Sequence, residues 1–187
     1  MKEDVKEWIE LDGVKFLQEI GLKKGQVVLD FGSGKGHYTI PASKAVGRDG
    51  KVYALDNDRG VLDKLKRLIQ QEKIKNIEVI SESSKVPLDD ESVDVVLCYD
   101  VIHYGNRKER KAVYSEVYRA LKREGLFSVY PKHYKKDHPL MELANIDLDR
   151  IIEEVEETGF ILQHKFSKRL LHDEYYNEGH ILNFRKC

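Results

Sequence analysis

Residues 26–39 read QVVLDFGSGKGHYT, and their reading decides the fold. Val27, Val28 and Leu29 run into Asp30, and Gly32, Gly34 and Gly36 then fall at every second position. A continuous aliphatic run suits a strand buried on both faces of a parallel sheet. Glycines where that strand feeds a helix let backbone N–H groups approach a ligand beside the helix's positive end. A phosphate-cradling P-loop needs G-x-x-x-x-G-K-[ST], but position 29 is Leu and Lys35 is followed by Gly36. The dinucleotide fingerprint G-x-G-x-x-G is also missed, because the spacing here is G-x-G-x-G. Asp30 directly ahead of the glycines would repel a pyrophosphate and suits a ligand with an ammonium group instead.

Outward from this stretch, strand-length apolar runs alternate with stretches of helical period. The expected strands are Gln26–Phe31, Lys51–Asp56, Asn76–Ser81, Val93–Tyr99 and Leu126–Tyr130. Between them Val61, Leu62, Leu65, Leu68 and Ile69 repeat at helical spacing, as do Val113, Val117, Ala120 and Leu121. Asn106 with Glu109 forms a capping-box pattern, Asp58 suits a helix N-cap, and Gly125 after Lys122 and Arg123 reads as a helix stop. Asp147 ahead of Leu148, Ile151, Ile152 and Val155, with Gly159 after them, marks another helix. Beyond Gly159 the rhythm changes: Phe160, Leu162, His164 and Phe166 alternate, and Ile181–Phe184 follows with no helical stretch between. The pattern predicts an α/β, Rossmann-like, doubly wound and mostly parallel seven-stranded sheet, with helices on both faces and an antiparallel C-terminal edge strand. Residues 1–24 are expected to be a helical segment and 25–187 the sheet core of one domain.

Composition limits the partners. The 32 Lys+Arg balance 33 Asp+Glu, which disfavours a nucleic-acid partner tracked along its phosphates. Two cysteines, Cys98 and Cys187, support neither a disulfide framework nor a metal site. No apolar run approaches the ~20 residues of a membrane span, and the first residues lack the apolar core of a signal peptide, so a cytoplasmic protein is expected.

Asp56 ends the second strand run twenty residues after Gly36 (56 − 36), where a carboxylate accepts ribose hydroxyls. Together, DFGSGKG at 30–36 and Leu55-Asp56 resemble the nucleotide-binding half of the class I S-adenosylmethionine-dependent methyltransferases. The stretch 79–87 resembles that family's third-strand turn, with Ser81-Glu82 in place of Gly-Asp. Residues 93–97 with 101–103 resemble its fourth strand and following turn, and 121–125 its approach to the fifth strand. The resemblance implies S-adenosylmethionine as cofactor, with Asp30 at the methionine ammonium and Gly32, Ser33, Gly34 and Gly36 along the methionine portion. Asp56, with Asn57 beside it, would hold the ribose, and Glu82 and Ser83 would flank the adenine.

The implied activity is methyl transfer to a small-molecule acceptor; the alternatives are an RNA or protein methyltransferase, or a non-catalytic S-adenosylmethionine-binding module. His103 and Tyr104 lie just past the fourth strand, where an acceptor would sit. His103 is the candidate proton acceptor, against the alternative that it only hydrogen-bonds in the pocket wall. The basic-aromatic stretch Tyr130 to His138 either binds an anionic acceptor or is a solvated loop, and Arg107, Lys108, Arg110 and Lys111 read as a solvated helix face. Arsenic as acceptor is disfavoured because Cys98 falls inside a strand and Cys187 at the terminus. The oligomeric state is left open.

Overall fold

The computed structural model describes residues 2–82 and 85–187, so the adenine assignment of Ser83 lies outside the described residues. The seven strands follow the order β3-β2-β1-β4-β5-β7-β6. They are β1 (Val27–Phe31), β2 (Lys51–Asp56), β3 (Ile77–Ser81), β4 (Val93–Tyr99), β5 (Leu121–Tyr130), β6 (Phe160–His172) and β7 (Tyr175–Lys186). The pairs β1/β2, β2/β3 and β4/β5 are parallel, whereas β5/β7 is antiparallel. The chain divides into two compact units, Met1–Ser83 with Leu170–Asn177, and Ser84–Arg169 with Glu178–Cys187.

In the first unit, α1 (Glu3–Glu7), a π-helical turn (Trp8–Asp12) and α2 (Gly13–Glu19) form the N-terminal helical segment. The π turn carries Trp8 inward, where it is buried with Phe16 and Leu17. A Cβ at Gly13 would lie 2.8 Å from Pro41, which explains a glycine at this otherwise costly helical position. Helices α3 (Thr39–Val46) and α4 (Arg59–Gln71) complete the two βα units. Asp58 caps α4 by accepting from Gly60 and Val61 N–H groups, as its position predicts. Leu62 and Leu65 are fully buried from α4, each contributing about 1.5–3 kcal/mol of burial.

In the second unit, α5 (Arg107–Ala120) carries the expected capping box of Asn106 and Glu109. Helix α6 (Leu148–Glu156) begins after Asp147 and ends before Gly159 at φ +100°. Three expectations are corrected here. Gly125 does not stop a helix: α5 ends at Ala120, and β5 begins at Leu121. Val93 pairs with Leu121 but Val95 with Leu126, so residues 122–125 bulge out of the strand, and Gly125 allows the bulge to close against Leu121. The last two strands are far longer than Ile181–Phe184 suggests, and β7 pairs with β5 while β6 takes the edge. Polar residues on the exposed side of β6 and Gly179 inside β7 hide their strand character. Finally, Arg110 is not solvated. It is buried, pairing with buried Glu154 through two bonds of 2.9 Å.

Candidate functional site

The glycine loop closes the end of β1. Gly32 and Ser33 N–H groups both donate to the Leu55 carbonyl, at 2.8 and 2.9 Å, and Gly36 N–H donates to the Ser33 carbonyl at 2.8 Å. Gly32, Gly34 and Gly36 have φ of +82°, +50° and +87°, the left-handed region that glycine enters without steric cost. Their reasons differ. A Cβ on Gly36 would come within 2.4 Å of the Leu65 side chain, so this glycine lets the loop pack on α4. A Cβ on Gly34 would meet nothing within 4 Å, so that side of the loop is open.

Asp56 lies at the end of β2, half-buried, with one carboxylate oxygen accepting from Gly34 N–H at 2.8 Å and the other from Asp58 N–H at 2.9 Å. The strand-end carboxylate is thereby fixed against the open glycine. Asn57 follows it, exposed, and Glu82 N–H donates to the Asp56 carbonyl at 3.2 Å, which brings the end of β3 to the same strand end. Asp30 is 2% exposed and accepts from the Thr39 hydroxyl at 2.6 Å. Burial pushes its carboxyl up to about 7; the Thr39 bond opposes the shift and Asp56 adds to it. Ser33 is also buried, and its hydroxyl has no hydrogen-bond partner among the described residues.

Sequence reasoning missed the residues that brace this loop from the hairpin between β6 and β7. Lys35 pairs with Glu174 at 2.9 Å, and the Tyr38 hydroxyl donates to the Leu171 carbonyl at 2.7 Å. Glu174 also pairs with Lys2 at 3.0 Å, and Lys35 and Lys2 hold its carboxylate down to about 2. Trp8 donates to the His37 carbonyl at 3.0 Å, and burial lowers the pKa of His37. No local pattern marks a contact spanning 139 residues.

In the second unit, residues from the ends of β4 and β5 gather around Asp100. This residue has φ +59°, and its N–H donates to the Tyr130 carbonyl at 2.9 Å. His103 sits in a short 3-10 turn (Ile102–Tyr104), buried, with Nδ1 3.4 Å from the Asp100 carboxylate. His133 brings Nε2 to 3.7 Å from the same oxygen, and the two imidazole rings meet edge to face at 4.6 Å. His133 was legible only as part of a basic loop. The first half of that loop is not solvated, because Lys132 is buried and paired with Asp137 at 2.8 Å and Tyr134 is buried as well, whereas Lys135, Lys136 and His138 are exposed. The Lys132 charge is thus paired within the loop, while Lys136 is exposed to solvent.

A family profile described as "Methyltransferase domain" matches residues 28–125. An arsenite methyltransferase of Halobacterium salinarum is 32% identical over 106 residues, covering 56% of this chain and 27% of that protein. A demethylmenaquinone methyltransferase of Lactococcus lactis is 33% identical over 114 residues, covering 59% of this chain and 44% of that protein. The chain thus spans less than half the length of these curated relatives. The crystal structure of a SAM dependent methyltransferase from Aquifex aeolicus superposes with a TM-score of 0.77 at 26% identity, covering 95% of this chain and 92% of that one. Family match, strand order and the loop after β1 agree, and the chain belongs to the methyltransferase-domain family, with the class I S-adenosylmethionine-dependent fold.

Proposed function

We propose that the chain binds S-adenosylmethionine in its first unit and transfers the methyl group to a small-molecule acceptor. The observation that carries this reading is the buried Asp30 carboxyl beside a glycine loop whose Gly34 side is open. The fit to the cofactor is chemical. Asp30 suits the methionine ammonium, the Ser33 hydroxyl and the open Gly34 backbone suit the methionine portion, and Asp56 with Asn57 suits the ribose. Glu82, at the end of β3, suits the adenine. When bound, the cofactor supplies an activated methyl on a sulfonium, so the protein's work is alignment and exclusion of water.

In the second unit the Asp100–His103 pair supports proton removal from the acceptor, with Asp100 orienting the imidazole. Small-molecule methyltransferases among the relatives favour a small acceptor. Arsenite is the less favoured acceptor, because Cys98 is buried in β4 while Cys187 is exposed, so these two thiols do not offer the soft-ligand pair that this element prefers.

Calorimetric titration of the full chain with S-adenosylhomocysteine, NAD and ATP tests the reading. S-adenosylhomocysteine is expected to bind and the other two are not. Asp56→Ala is expected to lose roughly 1.5–3 kcal/mol of S-adenosylhomocysteine affinity, the worth of hydrogen bonds to a charged group. Unchanged affinity in a folded Asp56→Ala variant, or preference for NAD, defeats the proposal.

A further inference from the structure

Tyr130 ends β5 with a side chain that the surrounding fold makes room for and leaves unsatisfied. It is fully buried, and its hydroxyl has no hydrogen-bond partner among the described residues. Leaving a buried hydroxyl unpaired is costly, and native structures rarely do so without a ligand or an internal water. A Cβ on Gly179 would lie 2.2 Å from the Tyr130 ring and 2.8 Å from its oxygen, so the glycine in β7 reserves the space. Tyr99, its register partner on β4, packs edge to face against the ring at 6.1 Å and fixes its direction. Burial first, then the fields of Asp137, Asp100 and Glu178, raise the pKa of the phenol, which stays a neutral donor at any working pH.

The surroundings limit what this donor meets. Asp100, which donates its N–H to the Tyr130 carbonyl, carries the carboxylate that faces His103 and His133. The Lys132 ammonium near the ring is paired with Asp137. An anionic ligand would therefore meet these carboxylates, and the lysine that lies over the Tyr130 ring is already paired. Tyr104 is 69% exposed, and its ring lies 3.9 Å from the His103 ring, which offers a flat apolar surface at the same strand ends.

We propose that Tyr130 is a recognition residue for the methyl acceptor, donating a hydrogen bond to an oxygen of a neutral, planar, hydroxylated small molecule held at the carboxyl ends of β4 and β5. The proposal rests on the methyl-transfer reading, and Tyr130 positions the acceptor without exchanging a proton with it. In the step it serves, the acceptor O–H bond breaks with its proton passing to the Asp100–His103 pair. The cofactor would supply the methyl on its sulfonium, so that the C–S bond lost there would balance the O–CH3 bond gained and a neutral thioether would remain.

Phenol is the probe, titrated into the full chain labelled with 13C in its tyrosine rings, with and without S-adenosylhomocysteine and with benzoate as the anionic control. Phenol is expected to move the Tyr130 and Tyr104 resonances saturably, and benzoate at equal concentration is not. Tyr130→Phe is expected to weaken phenol roughly tenfold, read at Tyr104, while S-adenosylhomocysteine affinity stays within about twofold. A Tyr130 resonance that phenol leaves unmoved, or equal phenol affinity in Tyr130→Phe, overturns the proposal. Lowered thermal stability of Tyr130→Phe with unchanged phenol binding assigns the hydroxyl to an internal water and overturns it too. Phenol binding at Tyr130 in a chain that fails to bind S-adenosylhomocysteine removes the methyl-transfer reading and with it the acceptor role, leaving Tyr130 a contact for phenol alone.

Discussion

Asp30 shows at the scale of one residue how a buried carboxyl is held at the expense of stability. Its carboxyl titrates near 7 in the folded protein against an ordinary 3.8, so the folded state keeps a proton that the unfolded chain has released. Stability of the ligand-free protein is therefore full below about pH 4, falls as pH rises towards 7 and is level above, a loss on the order of 4 kcal/mol from this group. Asp30→Asn keeps an acceptor for Thr39 and removes the charge. Denaturant unfolding between pH 5 and 8 is expected to show a flatter profile and a more stable variant at pH 8, with weakened S-adenosylhomocysteine binding. Parallel profiles for variant and wild type would mean that Asp30 does not carry this proton. In the wild type, affinity for the ammonium-bearing ligand is expected to fall as pH drops below about 7. Asp30 and the glycines were legible because their spacing is local. The separate reasons for Gly34 and Gly36 were not, because Leu65 reaches Gly36 from a different element. His133 was hidden for the same reason, since its partners Asp100 and His103 come from the neighbouring strand end.

At the scale of the element, the junction of α5 and α6 turns on one buried ion pair. Arg110 sits in a run of Arg, Lys and Glu, and composition alone assigns such a run to solvent. Its partner Glu154 lies 44 residues on, and Arg110 also donates to the Gly105 carbonyl at 2.8 Å. Neighbouring Arg107 is half exposed and pairs with Glu157. Removing one partner of a buried pair strands the other charge, so Glu154→Ala is expected to cost about 3–5 kcal/mol in denaturant unfolding. Arg107→Ala is expected to cost less than about 1 kcal/mol, the usual range for an exposed pair. Equal costs for the two variants would show that burial does not govern this junction. Capping signals at Asn106 and Asp58 were legible because a cap is complete within four residues. The bulge in β5 was not, because only its pairing with Val93 and Val95 shows that residues 122–125 leave and rejoin one strand.

For the whole molecule, the alternation of strands and helices was legible from 27 to 81 and from 93 to 160, because each βα step there buries an aliphatic run under an amphipathic helix, whereas β3 passes to β4 with no helix among the described residues. The path of the last two strands was not, because the Leu170–Asn177 hairpin belongs to the first unit while the flanking residues belong to the second. Chain connectivity therefore passes from unit to unit at 83/84, 169/170 and 177/178, and neither unit is a continuous piece of sequence. Unfolding one unit alone would have to release a hairpin held through Tyr176 to Asp12 at 3.0 Å and through Glu174 to Lys35. Scanning calorimetry is expected to give one cooperative transition. S-adenosylhomocysteine at about a hundred times its dissociation constant is expected to add about 2.7 kcal/mol, moving that single transition up by roughly 5–10 °C for a chain of this size. Two transitions, with only the one from the unit bearing the glycine loop shifted by the ligand, would show that the interleaved connectivity does not make the chain unfold as one.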